Sequence, residues 1–276
     1  MAVATDTLER IVLAALAEDV GQGDVTTDGT VPADAIGTAA LLVKEPGVVC
    51  GLRAVETTFR ALDPELEFDL LVAEGGAVEG PGAVALLSGS ERAILTGERV
   101  ALNFLGRLSG IATLTRRYVD AVAGTGVAIL DTRKTTPGLR ALEKHAVACG
   151  GGRNHRFGLD DGVLVKDNHL RATGSIAQAV ESLRATTPLP IEVECDTLGQ
   201  VAEALASEVD AILLDNMTLD DLRSAVALAG GRARLEASGG ITLDNIRAVA
   251  ETGVDEISVG ALTHSAPSLD VSLELQ

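Results

Sequence analysis

The sequence has 276 residues, is 46% hydrophobic but only 2% aromatic, and carries a formal net charge of −18 at pH 7. So acidic a chain is repelled by nucleic acids and by anionic membrane surfaces, and neither is expected as a partner. The sequence lacks a run of about 18 apolar residues. Residues 1–20 mix acidic with apolar groups and lack a basic leader. The protein is therefore expected to be soluble and cytoplasmic.

The three cysteines, Cys50, Cys149 and Cys195, are odd in number and far apart in the sequence. They form no CxxC pair of the kind that indicates a redox or zinc site. We interpret them as buried or idle thiols.

The amino-terminal part of the chain combines short apolar runs with glycine-rich turns. Strands are predicted at 38–43, 47–50 and 83–87, and we expect them to be antiparallel. A long helix is predicted over 91–123, where apolar residues recur at helical spacing. Its glycines either break the helix or let it pack closely, and they are Gly97, Gly106 and Gly110.

From about residue 126 onward, short apolar runs alternate with amphipathic stretches, which indicates βα units around a parallel sheet. The predicted strands are 127–130, 162–165, 191–193, 211–214, 234–236 and 256–259. We place a domain boundary near residue 105. Residues 1–105 are then an amino-terminal domain and residues 106–276 an α/β-barrel catalytic domain, with the last residues allowed to return to the first domain.

Each of these strands ends in polar residues or glycine, as in barrels whose site lies at the carboxyl ends of the strands. The ends are Asp131 to Lys134, Lys166 to Asn168, Glu194, Asp215 with Asn216, Ser238 to Gly240, and Gly260. Some polar ends are expected by chance, because loops are polar, but polar residues or glycine directly after every run, several of them charged, favour a functional site.

Cations are concentrated in one part of this acidic chain. Eight of the 22 Lys and Arg and three of the four His lie within 131–171. The cations predicted to surround the site are Arg133, Lys134, Arg153, His155, Arg156 and Lys166, and Arg can bind two oxygens of a carboxylate or phosphate at once.

Gly150 to Gly152 directly precede Arg153 and are a candidate for a loop that closes over a ligand. His145, on a predicted helix over 139–149, is left open between a core and a site residue, whereas His169 and Arg171 are assigned to the surface.

Two further groups of residues predict anion and metal binding. Ser238-Gly239-Gly240 and Gly260 follow the last two strands, where barrels bind phosphate through backbone N–H groups and a helix N-terminus. Glu194 and Asp215 end neighbouring strands and offer the hard oxygen ligands that suit Mg²⁺. The alternative is that each carboxylate pairs with a nearby Arg or Lys. The candidate site residues include no Ser/His/Asp triad, and the sequence has no GxGxxG or GxxxxGK pattern. We infer a substrate that is phosphorylated and carries other negative charges as well.

Several motifs together resemble the quinolinate phosphoribosyltransferase family over nearly the whole chain. The most specific is DTRKTTPG at 131–138. Others are LAED at 16–19, GDVTT at 23–27, GER at 97–99, LSGIAT at 108–113, HR at 155–156, LVKDNH at 164–169, EVE at 192–194, LDN at 214–216 and EASGGI at 236–241.

This resemblance implies an amino-terminal α/β sandwich domain, an incomplete α/β barrel and a head-to-tail homodimer. It implies a pentosyltransferase of NAD biosynthesis that makes nicotinate mononucleotide, diphosphate and CO₂ from quinolinate and 5-phosphoribosyl 1-diphosphate, with Mg²⁺ as cofactor. No protein nucleophile is expected.

The resemblance also implies roles for individual residues. Arg133, His155, Arg156 and Lys166 would bind the quinolinate carboxylates or diphosphate, and Thr132 would contact substrate. Lys134 and Lys166 would lie near the phosphoribosyl donor, and Glu194 with Asp215 would hold the ribose hydroxyls and the metal. Arg99 would reach the site of the neighbouring subunit. The 5-phosphate would be bound by Ser238, Gly239, Gly240 and Gly260, with His264 nearby.

Other functions are compatible with parts of this pattern. A paralogous phosphoribosyltransferase linked to molybdenum transport resembles the same fold, although the set of Arg133, His155 and Arg156 argues for a dicarboxylate. A Schiff-base aldolase would use Lys166 or Lys134 as its nucleophile. A phosphate-binding barrel without catalysis would leave Glu194 and Asp215 without a role.

Overall fold

The computed structural model describes residues 3–276 as an α/β protein with alternating helices and strands. The helices are α1 Thr5–Val20, α2 Val25–Thr30, α3 Leu52–Leu62, α4 Glu91–Ala121, α5 Arg140–Cys149, α6 Asp167–Thr173, α7 Ile176–Arg184, α8 Leu198–Ala206, α9 Leu219–Ala229, α10 Ile246–Ala250 and α11 Ala261–His264. The strands are β1 Ile36–Val43, β2 Gly47–Val48, β3 Glu67–Leu70, β4 Ala77–Val78, β5 Gly82–Ser90, β6 Ala128–Leu130, β7 Val163–Val165, β8 Ile191–Cys195, β9 Ala211–Asp215, β10 Arg234–Ser238, β11 Glu256–Ser258 and β12 Val271–Leu275. None of the helices in the described part of the chain is long and apolar enough to cross a membrane.

The chain forms two compact units, and neither is a single continuous stretch. Of the described residues, the first unit contains 3–116, 135–151 and 262–276, and the second contains 117–134 and 152–261. The boundary near residue 105, with the last residues allowed to return to the first domain, remains a prediction about the organisation of the chain.

An antiparallel sheet with strand order β12-β1-β5-β3 forms the centre of the first unit. Buried side chains of this sheet pack against α3 and α4 in one apolar core that includes Leu41, Phe59, Leu87, Ile94 and Leu105. The three amino-terminal strands predicted from sequence are present as β1, β2 and β5, all paired antiparallel. The carboxyl-terminal strand β12 pairs with β1, with Leu273 opposite Leu41.

Helix α4 continues through its glycines, which therefore serve close packing. A Cβ at Gly97 would lie 3.0 Å from the Phe59 ring, and one at Gly106 would lie 3.0 Å from the Leu269 carbonyl oxygen. A Cβ at Gly110 would overlap the carbonyl group of Pro267. The prediction of a long helix over 91–123 is confirmed, and of its two alternatives for the glycines the structure has close packing.

The second unit contains a six-stranded parallel sheet with the order β6-β11-β10-β9-β8-β7. Each of its strands overlaps one of the six predicted runs. Helices α7, α8 and α9 begin at hydroxyl side chains, since Ser175, Thr197 and Thr218 each accept a hydrogen bond from a backbone N–H of the first turn. β6 and β7 are the two ends of the hydrogen-bonded order, so the fold is the expected α/β architecture with an incomplete barrel.

Candidate functional site

A cavity of about 580 Å³ lies at the carboxyl ends of the six parallel strands in the second unit. Residues that end or follow every one of these strands contribute to its walls, as the βα pattern predicts. The predicted site residues that line it are Thr132, Arg133, Lys134, His155, Arg156, Lys166, Glu194, Asp215, Ser238, Gly239 and Gly240. The structure therefore brings the cations, the carboxylates and the glycine loop into one cavity.

Four predicted residues do not line this cavity. Arg99 is exposed on α4, and His264 is exposed at the end of α11, with its Nδ1 2.6 Å from Ser265 Oγ. Both belong to the first compact unit. Gly260 follows β11 in the second unit but is not part of the lining, and Arg153 is exposed beside β6, where its backbone N–H donates to Ile129.

Two arginines with like charge lie at the same wall of the cavity. The pKa of Arg156 is lowered from its ordinary value, first by burial and then by the charge of Arg133. Arg156 Nη1 also donates to the Gly162 carbonyl at 2.9 Å, which holds the guanidinium in place. Two neighbouring guanidinium groups repel each other less when an anion binds between them, so this wall is suited to a carboxylate or phosphate.

The opposite charge comes from strands β8 and β9. Glu194 Oε2 lies 3.0 Å from Lys166 Nζ, and Asp215 Oδ2 accepts a hydrogen bond of 2.7 Å from Asn216 Nδ2. Of the two alternatives for Glu194, pairing with a lysine is therefore present. Each of these contacts involves one oxygen of a carboxylate that has two, so the pair also fits a hard cation that takes its other ligands from phosphate and water.

His155 lies between two buried carboxylates that the sequence analysis did not include in the site. Its Nε2 is 3.1 Å from Glu192 Oε2 and 3.3 Å from Glu236 Oε2, and the two glutamates are 8% and 1% exposed. Burial lowers the pKa of His155, but the contacts with Glu192 and then Glu236 raise it to about 10. The Arg156 backbone N–H donates to Nδ1 at 2.8 Å, which opposes a second proton there. Whether the imidazole is neutral or doubly protonated, its Nε2 carries a proton that faces the two carboxylates.

Asp131 is a third buried carboxylate that supports the cation cluster. It directly follows β6, is 0% exposed, and accepts hydrogen bonds from Asn154 Nδ2 at 2.6 Å and from the His155 backbone N–H at 2.9 Å. The first residue of the DTRKTTPG motif therefore positions the segment that carries His155 and Arg156.

The loop after β10 has the backbone conformation of an anion-binding turn. Gly239 and Gly240 have φ angles of 89° and 63°, which few other residues adopt. A Cβ at Gly239 would overlap the Asn216 side-chain amide. The helices that follow β10 and β11 are only 5 and 4 residues long, so the expected help from a helix N-terminus is weak. Backbone N–H groups of the loop are the better donors.

Comparisons with known proteins agree over the whole chain. The family model for the quinolinate phosphoribosyl transferase N-terminal domain matches residues 24–109, and the model for the C-terminal domain matches residues 111–274. A relative from Synechocystis, named a probable nicotinate-nucleotide pyrophosphorylase [carboxylating], is 50% identical over 265 residues, covering 94% of this chain and 90% of its own.

A second relative, the nicotinate-nucleotide pyrophosphorylase [carboxylating] of Mycobacterium leprae, is 45% identical over 282 residues and covers 99% of this chain and 97% of its own. The solved structure of the nicotinate-nucleotide pyrophosphorylase from Francisella tularensis is 39% identical, with a TM-score of 0.96 over 100% of this chain and 98% of that one. Both matched domain models lie in their expected order along one chain. The protein belongs to the quinolinate phosphoribosyltransferase family.

Proposed function

We propose that this protein transfers the phosphoribosyl group of 5-phosphoribosyl 1-diphosphate to quinolinate and removes one carboxylate, giving nicotinate mononucleotide, diphosphate and CO₂. The observation that carries the proposal is the cavity that combines the Arg133–Arg156 wall with the Glu194–Asp215 pair and the Gly239–Gly240 loop. Quinolinate has two carboxylates and the donor has phosphate at both ends. One cavity must therefore neutralise several negative charges and still leave carboxylates for the ribose.

The chemistry needs positioning and electrostatics more than a protein nucleophile. The quinolinate ring nitrogen attacks the anomeric carbon, and the bond from that carbon to the diphosphate oxygen breaks with its electron pair leaving on diphosphate. The ring nitrogen is then positively charged. It stabilises the electron pair left on the ring carbon when the carbon–carbon bond to the carboxylate breaks and CO₂ departs, and that carbon takes up a proton. Preorganised charges around the reacting atoms lower such barriers.

The cations divide this work between the two substrates. Arg133 and Arg156 bind the quinolinate carboxylates, while Lys134 and Lys166 lie near the donor and its leaving diphosphate. Thr132 contacts substrate beside them. Because both ring nitrogens of His155 have protein partners, we assign His155 to holding this wall in shape as well as to anion binding.

Carboxylates and loop amides receive the donor. Glu194 and Asp215 hold the ribose hydroxyls, and their remaining oxygens would hold Mg²⁺, which would supply positive charge beside the diphosphate. Ser238, Gly239 and Gly240 bind the 5-phosphate through the loop backbone, and Gly260 and His264 are proposed to contribute to its binding.

We further propose that the protein works as a homodimer in which Arg99 reaches the neighbouring subunit's cavity. Arg99 is exposed on α4, and within residues 3–276 its side chain takes part in no hydrogen bond or ion pair. An exposed arginine without such contacts is able to bind a substrate carboxylate in the cavity of a second copy of the chain.

The first experiment is product analysis of the purified protein with quinolinate, 5-phosphoribosyl 1-diphosphate and Mg²⁺, with a parallel reaction in which nicotinate replaces quinolinate. We expect nicotinate mononucleotide and CO₂ from quinolinate only. No product from either acceptor would contradict the proposal and favour the paralogue linked to molybdenum transport.

A Schiff-base aldolase is the alternative from another class of enzyme. The Lys166 ammonium is ion-paired with Glu194 at 3.0 Å, and an ion-paired ammonium is a poor nucleophile for a carbonyl. Borohydride added with a ketose phosphate is therefore expected to trap no lysine adduct. A trapped adduct at Lys166 or Lys134 in the mass spectrum would overturn the assignment.

A further inference from the structure

Four side chains with metal-binding atoms meet in the first compact unit, and the proposed reaction uses none of them. They are Cys50, Glu74, His145 and Cys149, and their ligand atoms all lie within 4.8 Å of one another. Cys149 Sγ is 3.5 Å from His145 Nε2, and Glu74 Oε1 is 3.2 Å from His145 Nε2 and 3.3 Å from Cys50 Sγ. None of the four lines the cavity at the strand ends of the second unit.

Helix α5 supplies two of the four groups from one face. His145 and Cys149 are separated by four residues, the spacing at which two side chains on a helix point the same way and share a metal in many zinc sites. Both side chains are partly buried, and α5 ends at Cys149. This pair is therefore already aligned before any ion binds.

The other two groups are fixed by backbone contacts. Glu74 accepts hydrogen bonds from the backbone N–H groups of Gly51 and Leu52, at 2.7 and 3.0 Å, at the start of α3. The backbone of Cys50 is held by Ser109 of α4, whose Oγ accepts from the Cys50 N–H at 2.9 Å and lies 3.1 Å from its carbonyl oxygen. The Cys50 thiol and the Glu74 carboxylate thus face α5 from a rigid frame.

We propose that Cys50, His145 and Cys149, together with Glu74, form a zinc site in the first unit. Two thiol sulfurs, an imidazole nitrogen and a carboxylate oxygen are the donors that Zn²⁺ takes in a closed, four-coordinate structural site. Zinc–sulfur and zinc–nitrogen distances of about 2.3 and 2.1 Å place tetrahedral ligand atoms about 3.5 to 3.8 Å apart. The contacts of 3.2 to 3.5 Å in the cluster need to open slightly, and the other pairs, all within 4.8 Å, need to close by about 1 Å or less.

The site joins parts of the chain that are far apart in sequence. An ion there would tie α5 to the loop before α3 and to the turn that carries Glu74. Thiols of proteins in reducing compartments more often bind metal than form disulfides. With the predicted cytoplasmic location, this favours zinc over a Cys50–Cys149 disulfide.

The test is metal binding by the full chain, measured apart from enzyme activity. The protein is stripped with a chelator under reducing conditions, its thiols are counted, and Zn²⁺ or Co²⁺ is added back. We expect stoichiometric zinc by elemental analysis, and with Co²⁺ the visible and sulfur-to-cobalt absorption bands of a tetrahedral thiolate site. Chelator-treated protein with all thiols reduced that binds neither ion would overturn the proposal and leave the cluster as a hydrogen-bonded network.

Variants locate the ion. Cys149→Ser and His145→Gln should each weaken zinc binding by more than about 100-fold, since even residues that only support a metal ligand cost 10- to 100-fold. Cys195→Ala removes a buried thiol outside the cluster, and Glu194→Gln removes a carboxylate of the other cavity, so both should retain the metal. Zinc kept by the first two variants, or lost with either control, would contradict the assignment. If Cys149→Ser fails to fold by circular dichroism, His145→Gln and the cobalt spectrum of the unchanged protein decide.

Discussion

Two guanidinium groups in one cavity wall repel each other until an anion binds between them. Burial lowers the pKa of Arg156, and the charge of Arg133 lowers it further, in the direction that this repulsion requires. A planar guanidinium also presents paired N–H groups to a carboxylate, whereas an ammonium presents a point charge. Shape as well as charge should therefore matter at this wall.

We expect Arg156→Lys to lower kcat/KM for quinolinate by about 10- to 100-fold, because a charge-assisted hydrogen bond contributes about 1.5–3 kcal/mol. The KM for the phosphoribosyl donor should change little. Steady-state kinetics with each substrate varied in turn make the measurement, with Arg171→Lys as the control, since the Arg171 side chain is 76% exposed. An equal loss for both substrates would argue against a specific role in quinolinate binding.

Glu192→Gln should lower the pKa of His155 without changing the size of the side chain it contacts. Contacts with Glu192 and Glu236 raise that pKa from 6.5 to about 10. Imidazole NMR signals assigned with His155→Gln should therefore not titrate between about pH 6 and 8 in the unchanged protein, and should begin to titrate there in Glu192→Gln. The matched control is Glu251→Gln, which breaks an exposed pair with Arg247. Titration of His155 near pH 6.5 in the unchanged protein would refute this account.

The same contact predicts the sign of a stability effect. Because the folded-state pKa of His155 lies above the unfolded value, the stabilisation is complete below about pH 6.5 and is lost as the pH rises toward 10. Glu192→Gln should thus destabilise the protein most at low pH, by about 1–3 kcal/mol. Urea unfolding at several pH values measures it, and a difference that grows with pH would contradict the sign.

At the scale of elements, helix α4 shows how the first unit depends on close backbone packing. A methyl group at Gly110 would overlap the Pro267 carbonyl, which is backbone and cannot rotate away. Gly110→Ala is therefore expected to lower the free energy of unfolding by about 1–3 kcal/mol or more, despite the higher helix propensity of alanine. Gly29→Ala in α2 is the control, because a Cβ at Gly29 meets open space.

Urea unfolding of both alanine variants separates packing from propensity. Gly29→Ala should be neutral or stabilising by up to about 1 kcal/mol. If both variants unfold alike, the helix has room to shift and the packing argument fails.

The elements were predictable where one period dominates the sequence. All six parallel strands and α4 follow from apolar runs and helical spacing, because burial of strands on both faces and of one helix face leaves a clear pattern. The strand alternation also contained a signal that was missed. Glu192 and Glu194 differ by two residues, so their side chains leave the strand on the same face, and a site at Glu194 implies that Glu192 lies on that face one step further from the carboxyl end of the strand.

The cluster of Cys50, Glu74, His145 and Cys149 was beyond sequence reasoning for a different reason. Only the four-residue step along α5 is local, and the other partners arrive through tertiary packing. Cys50 and Cys195 are buried as expected, but Cys149 is partly exposed and contacts His145. The sequence analysis interprets Gly150 as part of a loop that closes over a ligand. The structure gives a packing reason for this glycine, because a Cβ there would overlap Ala112 of α4.

At the scale of the whole molecule, an acidic chain has its cations concentrated around the cavity in which the substrates are proposed to bind. A net charge of −18 would repel a substrate pair that is itself highly anionic, so binding depends on local cations rather than on the overall field. Arg99 is the one predicted site cation on α4, away from the 131–171 segment, and we propose that it acts in a second copy of the chain. The predicted dimer is thus a statement about catalysis as well as assembly.

Mixed dimers test whether Arg99 acts in the neighbouring subunit. If each site takes Lys166 from one chain and Arg99 from the other, Arg99→Ala and Lys166→Ala homodimers are both impaired at every site. A mixed dimer regains one intact site, because the unchanged Lys166 of one chain meets the unchanged Arg99 of its partner. Each mixed dimer has one intact site of two, so isolated mixed dimers should recover about half of the activity of the unchanged protein.

The two variants are co-expressed with different tags, and mixed dimers are isolated by two affinity steps. As the control, Arg99→Ala is paired with the double variant, which lacks both side chains in one chain and so has no intact site in any combination. Both sets of dimers have the same interface, so recovery in the first and not in the second isolates the contribution of Arg99 across it. Activity equal to the mean of the two parent variants would place Arg99 outside the neighbouring site and leave the dimer, if it forms, without a catalytic role.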